Sequence, residues 1–221
     1  MDWGSAVDLY CERTDPSFWA EPVNAVTNAA FLIAALMAFV QWRRGGAKDW
    51  PVLALIAVTG AIGVGSFIFH TVATSAAAKF DTIPIAVFIY SYLLLALRRF
   101  SGLSLPVSLG VLVAFSTLNY VEAMIVPRGA LNGSHAYLPA LAALIAVAWP
   151  LRREEAGRWL FAAACTLAVS LTFRSIDMAL CDAWPLGTHF LWHSLNGLAL
   201  YLLLRAAMSV QGPPYSQAIP S

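Results

Sequence analysis

The chain has 221 residues, of which 60% are hydrophobic and 11% charged, with a formal net charge of +1. Soluble domains carry about 25% charged residues, so too little polar surface is present to cover a water-soluble globule, and the near-neutral balance argues against nucleic acid as a partner. The expected class is an all-α, polytopic membrane protein.

Residues 1–21 come first. They hold Asp2, Asp8, Glu12, Arg13, Asp15 and Glu21 but lack the basic start and apolar core of a cleavable signal. An acidic N-terminal segment outside the membrane is expected to persist in the mature protein. Apolar stretches of about 17–25 residues, the span of a bilayer core, are then read at 22–42, 51–72, 82–97, 103–121, 137–149, 159–180 and 188–208. Together they predict a seven-helix bundle over 22–208. The fifth stretch is the shortest; Pro139 and Pro150 bracket it, and it reaches full length only by borrowing residues before Tyr137. Residues 209–221, with three prolines, read as a disordered tail.

Orientation follows from the basic residues, because short cytoplasmic loops are enriched in Lys and Arg. With seven helices, Arg43, Arg44, Lys48, Arg98, Arg99, Arg152, Arg153, Arg158 and Arg205 fall on one side, and Arg13, Lys79, Arg128 and Arg174 on the other, together with most of the acids. The N-terminus is therefore expected outside and the C-terminus in the cytoplasm. This topology brings Ser66 and His70 (outer end of the second helix), Asp81 (outer start of the third) and His189 and His193 (outer start of the seventh) to one depth.

Polar and ionisable groups inside apolar spans are costly and point to function. His189 and His193 are four apart, so both imidazoles lie on one helix face. With His70 they form the three-nitrogen set that catalytic zinc uses while keeping a fourth position open. Zinc lowers the pKa of bound water to about 7 and polarises a carbonyl. Asp81 then reads either as the base that accepts the water's proton or as a carboxylate that orients a histidine ligand. Ser66 reads either as a donor to the developing oxyanion or as a side chain bonded back to its own helix. The bland alternative for the histidines is hydrogen bonding between helices, and His135 reads as a loop residue.

Cys11 and Cys181 both fall outside, where disulfides persist, and are expected to be bonded; Cys165 reads as a small packing residue. Arg174 and Asp177, three apart near the outer end of the sixth helix, either pair with each other or leave Arg174 beside a substrate's polar head. Glu122 reads as interfacial.

The combination Ser66-x-x-x-His70, Asp81 and His189-x-x-x-His193, with Tyr10-Cys11-Glu12 and the run from Ala20 to Asn28, resembles the alkaline ceramidases, seven-helix membrane amidases, over nearly the whole chain. The resemblance implies zinc on His70, His189 and His193, Asp81 and Ser66 around the reacting water, and hydrolysis of a ceramide amide to sphingoid base and fatty acid. The same residue set occurs in the wider superfamily that includes adiponectin-receptor-like proteins, so it specifies chemistry better than substrate. The resemblance also implies calcium in the acidic N-terminal segment, with Asp8, the Tyr10 carbonyl, Glu12, Thr14 and Glu21 as candidate ligands. Leu9 and Thr14 depart from that pattern, which expects an aspartate and an asparagine there; hard oxygen donors are what calcium requires.

The leading expectation is a zinc amidase for ceramide-like membrane lipids, entered sideways from the bilayer. The alternatives are a seven-helix receptor or transporter with structural zinc, and the same hydrolase chemistry on another acyl lipid. A retinal protein is excluded, because the only lysines, Lys48 and Lys79, lie outside the apolar runs. A compact chain without a lumenal sorting tail suits a bacterial inner membrane.

Overall fold

The structure is a computed structural model, and it describes residues 3–127 and 129–210. Of the expected tail at 209–221, Ser209 is helical, and residues 211–221, with Asp2 and Arg128 of the charge pattern, lie outside the described residues.

Proline at the first turn suits a helix start, where the missing N–H is not needed, and four helices begin this way. The elements are α1 (Pro22–Thr27), α2 (Ala29–Arg44), α3 (Trp50–Val72), α4 (Ser75–Arg99), α5 (Leu105–Ile125), α6 (Leu138–Ala148), α7 (Glu155–Ile176) and α8 (His189–Ser209). Two 3₁₀ segments, Ala130–Tyr137 and Met178–Leu180, precede α6 and follow α7. α1 and α2 form one apolar span, Pro22–Arg44, and the first 3₁₀ segment runs into α6 as the span Ala130–Ala148. The short fifth stretch thus does extend before Tyr137.

Among the described residues, six spans are long and apolar enough to cross a membrane. α8 is not among them although it has 21 residues, because His189, His193, Asn196 and Arg205 dilute its apolar character. The outer helices bury little of their own surface in the bundle: α5 buries only Ser108 and Phe115, while Val113 and Ile125 are 67% and 74% exposed. Apolar surface this extensive on a bundle's exterior is the surface of a lipid-facing protein.

One boundary differs from the sequence reading. α4 begins at Ser75, not at 82, and only Ala73 and Thr74 separate it from α3. Ala73 adopts a left-handed conformation (φ 45°) that stops α3, and the Thr74 hydroxyl accepts from the Ala77 N–H and starts α4. Lys79 and Asp81 therefore lie within α4. A charge count broke the apolar window there, while the capping signal at Thr74 set the true start.

α7 packs along α8 and α3 along α4, and α2 touches both α3 and α8. Close approach at Gly65 aligns α3 and α4: a Cβ there would stand 1.9 Å from the Phe80 carbonyl oxygen. Gly197 in the same way meets Ala30, where a Cβ would lie 2.9 Å from its Cβ. At the end of the bundle away from the histidines, Arg99 pairs with Asp49 at 2.7 Å and donates to the Ala207 carbonyl, joining α3, α4 and α8.

The N-terminal segment crosses the other end. Val7 N–H donates to the Ala73 carbonyl, Ser75 N–H to Ser5 and Ala76 N–H to Trp3. The segment is tied down again by a disulfide between Cys11 and Cys181, as expected. Cys165 is free and exposed, on the outer surface of α7 instead of inside the packing.

Candidate metal centre

Two helices deliver the histidines. His70 sits in the last turn of α3, and His189 and His193 occupy the first two turns of α8. All three are buried, 0% to 1% exposed, and one ring nitrogen from each lies within 4.8 Å of the others. Among the described residues, the buried side-chain nitrogens without a protein partner are His70 Nε2, His189 Nδ1 and His193 Nε2. Leaving such atoms unpaired is costly, and the three together could hold a metal ion.

The opposite nitrogens of two rings are held. His70 Nδ1 lies 2.6 Å from Glu21 Oε2; an ionised carboxylate only accepts, so Nδ1 carries the hydrogen and Nε2 presents its lone pair. His193 Nδ1 lies 3.1 Å from Thr27 Oγ1, whose own hydrogen goes to the Val23 carbonyl at 2.8 Å. Again Nδ1 is the donor and Nε2 is free. Carboxylates and hydroxyls behind histidines fix tautomer and orientation in this way at metal sites. The third ring is pinned by stacking: Tyr10 lies flat on His189, with centroids 3.5 Å apart and planes 18° from parallel.

Ser66 (α3) and Asp81 (α4) are close electrostatic neighbours beside this cluster. Gly65 makes that pairing feasible by bringing the backbone of Phe80 and Asp81 against α3. Ser66 is buried and Asp81 half-buried, and Asp81 is in electrostatic contact with His70, Arg174, Tyr10 and Tyr137. Asp81 does not join the three histidines as a fourth close ligand.

Asp177 and Arg174 do not pair with each other. α7 ends at Ile176, so Asp177 turns away and its carboxylate accepts from the Thr188 and His189 N–H groups at 2.6 and 2.9 Å and from Cys11 N–H at 3.1 Å. It thereby caps the N-terminus of α8 at the very residue that carries a candidate ligand. Arg174 donates to the Asn132 carbonyl and to the Tyr10 hydroxyl, and lies over the rings of Tyr137 and Trp192 at 5.5 and 5.4 Å. His135 is buried and paired with Glu122 near the end of α5, so it is more than a plain loop residue: the 3₁₀ segment folds it back onto α5.

Several of the groups expected around calcium already accept from protein donors, the Tyr10 carbonyl from the Arg13 N–H at 3.3 Å among them. Glu12 accepts from the Val23 and Asn24 N–H groups at 2.7 and 2.8 Å, capping α1. Glu21 accepts from Arg13 Nε at 2.6 Å, from His70 and from Asn24 Nδ2 at 3.1 Å. Asp8 and Thr14 are exposed, and Tyr10 contributes its ring. Burial would raise the Glu21 pKa, but the His70, Arg13 and Asn24 contacts outweigh it and hold the carboxyl below the usual range. Glu12 goes the other way: burial lifts its pKa despite the two N–H donors.

A family model described as ceramidase matches residues 5–212. The chain belongs to the ceramidase family. Membership makes it a ceramidase-type hydrolase, associated with membrane and with a lipid substrate. Among curated proteins none matches the chain. In this ceramidase-family chain, Glu21, Thr27 and the Tyr10 ring are the site residues that sequence reasoning placed elsewhere or passed over. The signal for Thr27 was its spacing, four residues after Val23 on a half-buried side of α1.

Proposed function

We propose that the chain is a zinc-dependent amidase that hydrolyses ceramide-like lipids within the membrane, with seven spanning helices, the N-terminus outside, and the site facing the extracytoplasmic side of a bacterial inner membrane. The observation that carries this reading is the convergence of three buried, unpartnered imidazole nitrogens. Their donor set fits zinc. Zinc bound there supplies Lewis acidity and an acidified water at neutral pH. His70, held by Glu21, His193, held by Thr27, and His189, held by Tyr10, would be its ligands.

Asp81 would take the proton of the attacking water and return it to the departing amine, and Ser66 would donate its hydroxyl hydrogen to the oxygen that gains charge as the carbonyl is attacked. Arg174, next to Asp81 and the Tyr10 hydroxyl, is placed to meet the polar head. An apolar cavity lined by Phe31, Phe88, Tyr92, Tyr137, Trp192 and Leu203 supports a lipid substrate, since Phe31 packs on His193 at 6.4 Å and Trp192 precedes it. A structural zinc in a receptor would call for a closing fourth protein ligand, and the described cluster holds three.

The test is turnover by purified protein of a panel of N-acyl sphingoid bases, ester lipids and N-acyl amino acids, with H193A as control. Release of fatty acid from the sphingoid amides, abolished in H193A, is expected. Turnover that survives in H193A, or none of any amide by zinc-loaded protein, would sink the reading.

A further inference from the structure

We propose that Arg13 is the resident cation of the N-terminal segment, taking the Glu21 carboxylate that the family resemblance implies for calcium, and that it positions His70 without any bound ion. The inference rests on the metal-centre reading above for its consequence, but not for its geometry. Arg13 is 7% exposed, and every acceptor around it is an oxygen. Nε donates to Glu21 Oε1 at 2.6 Å, Nη1 to the carbonyls of Asp15 and Ser17 at 3.2 and 3.4 Å, and Nη2 to the carbonyl of His70 at 3.1 Å. One carboxylate and three main-chain carbonyls are the kind of donors a hard cation takes. Here a guanidinium meets them with its fork of N–H groups.

The surrounding chemistry leaves no role for a second cation. Both Glu12 oxygens already accept from backbone N–H groups, and both Glu21 oxygens accept from side chains. A divalent ion among these atoms would sit against a buried guanidinium and be repelled. Without Arg13, in turn, Glu21 would keep a buried charge with only His70 and Asn24 as partners, which is strongly unfavourable.

Arg13 grips His70 at two points. Through Glu21 it holds the ring nitrogen Nδ1, and through Nη2 it holds the carbonyl. That carbonyl is among the last four of α3, which have no partner within the helix, and a cation at a helix C-terminus is favoured by the macrodipole. Arg13 is thus a positioning residue: it touches no reacting atom, and it sets where His70 Nε2 points.

The test uses the full chain in detergent. Melting temperature and zinc affinity, the latter by competition with a chromogenic chelator, are measured with calcium chloride and with EGTA for the wild type, R13Q and R13K. The wild type is expected to show the same melting temperature and zinc affinity in both conditions; a calcium-dependent rise in either overturns the proposal. R13Q is expected to bind zinc about 10- to 100-fold more weakly, the range for lost partners behind a ligand, with R13K in between because an ammonium cannot reach all four acceptors. Zinc affinity of R13Q equal to the wild type overturns it. Should R13Q fail to fold, R13K carries the comparison and wild-type affinity in R13K overturns it. If the wild type binds no zinc, the proposed function fails, while the calcium arm still decides the role of Arg13.

Discussion

Asp81 is the residue whose role divides most sharply by measurement. If it handles protons, D81N should lower kcat by about 10²- to 10⁴-fold while zinc content stays at the wild-type level. If it orients a ligand, zinc affinity falls instead. The Ser66 contact, the separation from the histidine cluster and the occupation of His70 Nδ1 by Glu21 favour the first outcome. A fall in zinc content by metal analysis, with activity restored by excess zinc, would decide for the second. At this scale His70, His189 and His193 were legible because a four-residue spacing and a charge bias converge on one depth. Glu21 was legible only as an acid near the membrane, since nothing local says that its carboxylate crosses to a helix 49 residues away. Tyr10 was read through its carbonyl, whereas its ring is the part that meets the site.

Between elements, the α3–α4 contact depends on having no side chain at Gly65. G65A would drive a methyl group into the Phe80 carbonyl, so the helices must separate and Asp81 must move from Ser66. A destabilisation of about 1–3 kcal/mol, the usual cost of overpacking, should accompany a loss of activity with zinc still bound. G60A is the internal control, because its Cβ meets nothing nearer than Ala35 at 4.0 Å. Equal melting temperatures for the two variants would refute the account. Helix ends were harder to read than helix existence. The apolar window missed the first seven residues of α4 because Lys79 and Asp81 interrupt it; the extension of the fifth span before Tyr137 was readable, but not the left-handed backbone at Leu131 and Asn132 that shapes its 3₁₀ start.

At the scale of the molecule, the N-terminal segment, the α3–α4 connection and the start of α8 form one unit around the metal centre. The disulfide joins residues 170 positions apart, and Gly187 (φ 64°) leaves room beside Cys11 and Asp177 where a Cβ would collide. Alkylation of the unfolded chain without reductant should label one thiol, Cys165, and all three after reduction; three labelled thiols beforehand would contradict the linkage. The bundle itself was legible from composition, because no soluble fold hides so much apolar surface. In the proposed seven-span topology, α8 is where candidate ligand chemistry and membrane partitioning compete for the same 21 residues. Its insertion must then lean on surfaces supplied by α2 and α7, both of which the ribosome completes first. Grafted alone into a reporter membrane protein, α8 should integrate poorly, and H189L/H193L should integrate well; efficient insertion of the native segment would refute this. Under that proposal synthesis order becomes part of the site: the helix with two of the three candidate ligands enters a bilayer that the preceding helices have already made hospitable.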